Sequence, residues 1–155
     1  QTIKQQNMRK LIAAINMTLD GFCDHTAIIA DDEMHEHYSE LISNAGALKS
    51  VEWETATLAK GGIEEEVLKL KQQAGKDILV GSPSLIVALT QLGLIDEYQL
   101  CVHPVIVGSG LPLFKNINDR ILLKLLKTKT FGSGAGGNFS YMAALAVMLK
   151  DEIYC

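Results

Sequence analysis

Cysteine is scarce in this chain. Cys23, Cys101 and Cys155 form an odd set with no C-x-x-C spacing, which argues against a disulfide framework and against a zinc knuckle and leaves reduced thiols. None has a paired base in the sequence, so nothing supports a cysteine nucleophile. Long apolar runs are also missing. The longest stretches, such as Tyr141 to Leu149, fall well short of the roughly 20 residues that cross a bilayer. No secretory signal pattern opens the chain, so a cytoplasmic location is expected. Charge of one sign is not gathered anywhere: 14 Lys and Arg are scattered among 18 Asp and Glu, for a formal net charge of −4. Without a basic run there is no electrostatic footprint for nucleic acid or an anionic membrane, and neither partner is expected.

What is present suits one globular domain: 155 residues, 48% hydrophobic, enough for a core without disulfides or metals. Residues 1–7, QTIKQQN, are polar, aperiodic and precede Met8; they read as a tag or disordered tail, with 8–155 as the domain. Leu11 to Met17 is an apolar run broken only by Asn16, which suits a strand buried on both faces. Asp31 and Asp32 precede Met34, Tyr38, Leu41 and Ile42, a helical spacing with acids at the positive end, and Asn44-Ala45-Gly46 supplies a stop. After Gly61-Gly62, Ile63, Val67 and Leu70 share a second helical face that ends by Gly75. Asp77 to Val80 reads as a strand, Gly81 to Ser84 as a turn and Leu85 to Leu92 as a helix closed by Gly93. Tyr98 to Val107 is a further strand in which His103-Pro104 implies an edge, a bulge or a break. Leu122 to Thr130 is another, and the glycine-rich turn Gly132 to Gly137 fits a closing antiparallel hairpin. Alternating strands and helices predict an α/β sheet with parallel members.

Few residues carry chemistry. Gly81-Ser82-Pro83-Ser84 lies between a strand end and a helix start, where backbone N–H groups and the helix dipole favour a phosphate; an ordinary capped turn has the same look. Asp20-Gly21 is either a simple turn or part of a loop over a ligand, where a carboxylate with a raised pKa could donate or relay a proton. His25, His35 and His37 lie among Asp24, Asp31, Asp32, Glu33 and Glu36. On a helix, however, His35 and His37 point about 200° apart and cannot clamp one ion, so a solvated face and no metal are expected. His103, on a mostly apolar strand, reads as a core or interface histidine.

Three stretches, taken in order, resemble the dihydrofolate-reductase-like family, in the branch formed by the C-terminal reductase domain of bifunctional riboflavin-biosynthesis deaminase/reductases and its stand-alone relatives. LIAAINMTLDGF (Leu11–Phe22) resembles the family's opening strand and loop. DILVGSPSLIVALTQLGLIDEYQLCVHPVIVGSGLPLF (Asp77–Phe114) resembles its cofactor turn, helix and next strand, and LLKTKTFGSGA (Leu125–Ala135) its final strands. The resemblance implies a mainly parallel central sheet flanked by helices with a closing antiparallel strand, NADPH across the strand ends, a small-molecule substrate and a homodimer. Carried over by residue, Gly81, Ser82, Pro83, Ser84 and Leu85 match the turn that holds the cofactor diphosphate, and Ala13 and Ala14 the strand end that meets the nicotinamide amide. Leu19, Asp20 and Gly21 match the loop beside the nicotinamide, with Asp20 as the catalytic candidate. Gly108, Gly110 and Phe114 match a loop on the substrate side.

Two departures stand out. Between Asn44 and Val51 the family carries some tens of residues with a strand, an Arg-bearing GRxTYE-like segment and a helix, whereas AGALKS here runs directly into VEWETATL. A segment missing near 45–49 is the expectation, because losing an interior parallel strand would leave a gap in the sheet. The tail GGNFSYMAALAVMLKDEIYC continues past the family's usual last strand, as a helix over the shortened region or a displaced part of it. The function expected is NAD(P)H-dependent reduction of a small heterocycle or carbonyl, pterin-like or pyrimidine-like. The alternative is a noncatalytic nucleotide-binding or dimeric scaffold of the same fold.

Overall fold

A computed structural model describes residues 8–24, 26, 31–44, 46–47, 62–132 and 137–143. In chain order these form β1 (Leu11–Thr18), α1 (Asp32–Asn44), β2 (Gly46–Ala47), α2 (Ile63–Gln72), β3 (Ile78–Val80), α3 (Pro83–Gln91), β4 (Glu97–His103), β5 (Leu123–Thr130) and β6 (Gly137–Ala143). They build one sheet in the order β2-β3-β1-β4-β6-β5. The first four strands are parallel, while β6 runs antiparallel to both β4 and β5.

Local chemistry starts and stops the helices where it should. The Asp31 carboxylate accepts the Met34 N–H at 2.8 Å, an N-cap that satisfies a donor the helix itself cannot. Glu64, Glu65 and Glu66 open α2 while Lys69 and Lys71 close it, each sign at the favourable end of the dipole. Pro83 occupies the first turn of α3, where its missing N–H costs nothing. That helix ends at Gly93, φ +67°, with Leu94 N–H bonded to Leu89 O and Gly93 N–H to Thr90 O, both 3.0 Å. This is a Schellman stop, in which only glycine enters the left-handed region without strain.

The alternation of β1 sends its residues to two layers. Leu11, Ala13 and Ile15 pack with Ile63 and Val67 of α2, and with Leu85, Ile86 and Leu89 of α3. On the other face Met34 and Tyr38 of α1 pack with Cys101 of β4 and Phe131. At the amino ends of the strands the Lys71 ammonium, 2.6 Å from the Asp96 carboxylate, also donates to Leu94 O at 3.2 Å. Asp96 in turn accepts the Leu11 N–H at 2.7 Å. That lock ties α2, β1 and the entry to β4 together.

Two expectations change. β4 ends at His103 rather than Val107, because Pro104 has no N–H to continue the ladder. β2 joins the edge of the sheet beside β3, so the described parallel strands are contiguous. Residue 45 and residues 48–61 lie outside the described residues. The tail read as a helix or a displaced segment instead supplies β6, which sits between β4 and β5 as the second arm of the expected hairpin; residues 144–155 lie outside the described residues. Among the described residues no helix is long and apolar enough to cross a membrane.

Candidate active site

The carboxyl end of β1 is where the sheet opens. β3 is only three residues long and its last residue, Val80, pairs with Ala13, whereas β1 continues to Thr18 along β4. Backbone polar groups alternate sides along a strand. The Lys10 carbonyl accepts from Ile78 on the β3 side and the Leu11 carbonyl from Asp96 on the β4 side. The even-numbered residues therefore direct N–H and C=O toward β3, whose last pair is Val80 with Ala13, so the ladder ends at Ala14, whose carbonyl faces Gly81, and Asn16 lies beyond it. An edge of this kind at the strand carboxyl ends is where open α/β sheets take ligands.

The Gly81 turn stands against this edge. A Cβ at Gly81 would lie 3.4 Å from the Ala14 carbonyl oxygen, so the absence of a side chain keeps the approach open. In α3 the helical ladder begins with Ile86 N–H to Ser82 O, 2.9 Å, which leaves the N–H groups of Ser84 and Leu85 ahead of it at the positive end of the dipole. The Ser82 and Ser84 hydroxyls are 3.2 Å apart. The Leu85 side chain is fully buried in the core, so only its backbone faces the turn. Gly81, Ser82, Pro83, Ser84, Ala13 and Ala14 thus lie together where β3 ends beside β1.

Leu19, Asp20 and Gly21 follow β1, and the structure joins them to the β4–β5 loop. The Asp20 carboxylate accepts from Thr18 Oγ1 at 2.7 Å, from Val107 N–H at 3.3 Å and from Gly108 N–H at 2.7 Å. The Thr18 hydroxyl itself accepts the Phe22 N–H at 2.9 Å. Gly21, φ +90°, and Gly108, φ +76°, make the tight turns that only glycine makes without strain. A Cβ at Gly110 would face the Phe22 ring at 3.6 Å. The bond from Thr18, together with those from the two loop amides, holds the Asp20 carboxyl below its ordinary value of 3.8. Its surroundings therefore favour the charged form and lack the raised pKa a proton donor needs. Phe114 stands apart from this group: its ring meets Tyr98 edge-on at 6.0 Å, and the Tyr98 hydroxyl bonds Thr90 of α3 at 2.9 Å.

On the α1 face beside the strand end lies a polar cluster that pattern reading did not assemble. Asn16 Oδ1 stands 3.1 Å from His103 Nε2 and 3.4 Å from the Tyr38 hydroxyl, with Cys101 Sγ 3.8 Å from the same ring nitrogen. An amide oxygen only accepts, so Nε2 carries the proton and Nδ1 the lone pair. Nδ1 is buried and has no hydrogen-bond partner among the described residues. Burial pushes the His103 pKa down and the Cys101 thiol up; it also raises the Tyr38 phenol, with Cys101 adding to that rise. The one signal in the sequence was Asn16 interrupting the apolar run of β1. His35 and His37 both lie on α1, while His25 falls outside the described residues.

The fold is that of a dihydrofolate-reductase-like domain. The model of the RibD C-terminal domain matches residues 24–135, and the chain belongs to that family, a reductase family of riboflavin biosynthesis. It is 50% identical to YyaP of Bacillus subtilis (strain 168) over 80 residues, which cover 51% of this chain and 43% of that protein. It is 34% identical to YwjB of the same organism over 88 residues, covering 56% of this chain and 51% of that protein. The matches thus span about half the length of these relatives. Among solved structures, the diaminohydroxyphosphoribosylaminopyrimidine deaminase/5-amino-6-(5-phosphoribosylamino)uracil reductase of Thermotoga maritima aligns with TM-score 0.66 at 13% identity, over 88% of this chain and 57% of that one. At that identity the likeness is one of fold.

Proposed function

We propose that this chain is an NAD(P)H-dependent reductase of a small heterocyclic or carbonyl substrate, pterin-like or pyrimidine-like, acting in the cytoplasm as a homodimer. The observation that carries the reading is the open β1 edge at Ala14 and Asn16 with Gly81 against it. The Gly81–Leu85 turn would hold the diphosphate of NADPH through the Ser84 and Leu85 N–H groups and the α3 dipole. The Ala14 backbone would take the carboxamide of the nicotinamide, with Leu19 and Gly21 beside the ring and Gly108 and Gly110 bordering the substrate. Phe114, whose contacts lie with Tyr98, would act from the rim. A reduced nicotinamide supplies a hydride, and the protein supplies binding, orientation and exclusion of water.

Titration with NADPH and NADH, followed by cofactor fluorescence, tests the reading. Saturable binding of either, followed by loss of 340 nm absorbance with pyrimidine or pterin acceptors, supports it. A folded protein that binds neither overturns it. One observation favours a noncatalytic nucleotide-binding or scaffold role instead. The only arginines are Arg9 and Arg120, and Arg9 is engaged at the amino ends of the strands, with the carbonyls of Lys76 and Leu70. Binding without turnover across the acceptor panel is the outcome that selects this second role.

A further inference from the structure

Residues 19–23 and the β4–β5 loop are 80 or more positions apart in sequence, yet they meet in a short ladder past the end of β1. Leu19 N–H bonds Val105 O at 2.9 Å, Cys23 N–H bonds Leu111 O at 2.8 Å and Leu113 N–H bonds Gly21 O at 3.0 Å; Phe22 and Pro112 pair as an antiparallel bridge. Leu113 is buried in the core and Cys23 packs against it, whereas Leu19, Asp20 and Gly108 lie at the surface, where such contacts open readily unless something pins them. Besides the Phe22 ring against Gly110, a side-chain hydrogen bond crosses between the loops at their centre. Asp20 reaches over to two consecutive N–H groups, Val107 and Gly108, while Thr18 anchors it from the strand end.

We propose that Asp20 is a positioning residue, a clasp that fixes the two loops flanking the carboxyl end of β1 as one unit, so that Leu19 and Gly21 on one side and Gly108 on the other are set together around the ligand. The assignment rests on the strand-end site proposed above, and it replaces the proton-donor role considered from the sequence. Three features of the chemistry support it. The acceptor is ionised, and charge-assisted bonds to backbone N–H groups are the stronger kind. One oxygen serves Thr18 and Val107 and the other Gly108, so the carboxylate links the strand end to both loop amides. Gly108 can present its N–H here only at a positive φ, which a side chain would strain.

Amide hydrogen exchange on the full chain, read residue by residue, tests the clasp. In Asp20→Ala the amides of Leu19, Cys23 and Leu113 should exchange about tenfold faster or more, along with Val107 and Gly108. The first three bond other partners and no atom of Asp20, so their release reports the unit rather than the lost bonds. Thr18→Val, which removes the anchor but keeps the carboxylate, should give a smaller rise over the same set. A rise confined to Val107 and Gly108 overturns the proposal. With NADPH as probe, Asp20→Ala should bind about tenfold more weakly while its melting temperature stays within about 3 °C of the wild type. Asp20→Asn keeps one acceptor oxygen but turns an amino group toward Gly108 N–H, so it should fall between the two. Unchanged NADPH affinity in Asp20→Ala also overturns the proposal. If the wild type binds neither NADPH nor NADH, the cofactor reading fails, and the exchange pattern alone still decides the clasp.

Discussion

Two residues show how much of the site rests on single atoms. At Gly81 the constraint is space: the glycine has an ordinary negative φ and tolerates a side chain conformationally, but the side chain would enter the gap beside the Ala14 carbonyl. Gly81→Val should therefore leave the melting temperature within a few degrees and weaken nucleotide binding by about tenfold to a hundredfold, the worth of one or two charge-assisted bonds. Isothermal titration with NADPH checks it, and full affinity in a folded variant sinks the diphosphate role of the turn. At His103 the constraint is charge. Burial lowers the pKa of His103, and burial with Lys129 and Lys127 nearby lowers that of His37, both from an ordinary 6.5. The unfolded chain thus takes up these protons first, and stability is full above about pH 7 and falls as the pH drops through 6.5. Each group contributes at most about 1.4 kcal/mol per pH unit. His103→Gln should flatten the decline in urea midpoint between pH 7.5 and 5.0; an identical slope would show that this ring does not couple folding to protons.

Among the elements, β5 is the exposed one. Every residue of the strand is exposed, Leu125 at 50% and Leu126 at 45%, and the strand forms one edge of the sheet. Lys124, Lys127 and Lys129, with the register shift between Leu125 and Lys127, blunt the edge against strand addition. The leucines still offer an apolar surface for the proposed homodimer. Sedimentation at micromolar concentration should give a dimer for the wild type and a monomer for Leu123→Lys/Leu125→Lys with little change in melting temperature; a monomeric wild type rules the dimer out. The same scale shows what could be read beforehand. β1, α2 and α3 were legible because apolar spacing, acidic first turns and Gly93 all agree on them. β2 is Gly46-Ala47, which carries no strand signal, and its place depends on backbone pairing with β3. β6 is legible only as the second arm of a hairpin after the Gly132–Gly137 turn, and nothing local says that it inserts between β4 and β5. The Gly81 turn was visible as a strand-to-helix junction. The partner of Asp20, a backbone N–H 88 residues away, has no local signature, and neither has the Asn16–His103 pair across β1 and β4.

At the scale of the whole molecule, the two ends of the parallel sheet divide the labour. The amino ends hold the Lys71–Asp96 lock, in which Lys71 is buried and Asp96 partly exposed, and Asp96 also holds the first N–H of β1. The carboxyl ends hold Gly81, the β1 edge and the Asp20 clasp. A parallel sheet favours this division because its helices cover the faces and their connecting loops gather at the strand ends. Asp96→Ala should leave the Lys71 ammonium buried with only the Leu94 carbonyl and cost about 2–3 kcal/mol, roughly 5–12 °C in melting temperature, less than a fully buried pair because water reaches the Asp96 side. Asp96 binds the first residue of β1, three residues and about 10 Å before Ala14, at the margin of the range within which mutations couple, and no partner is shared with the Gly81 turn among the described residues. Nucleotide affinity of the folded fraction, measured well below the melting temperature, should therefore equal the wild type's, the reverse of the pattern expected for Gly81→Val. If Asp96→Ala loses affinity in proportion to stability, the two ends are one cooperative unit and the division fails.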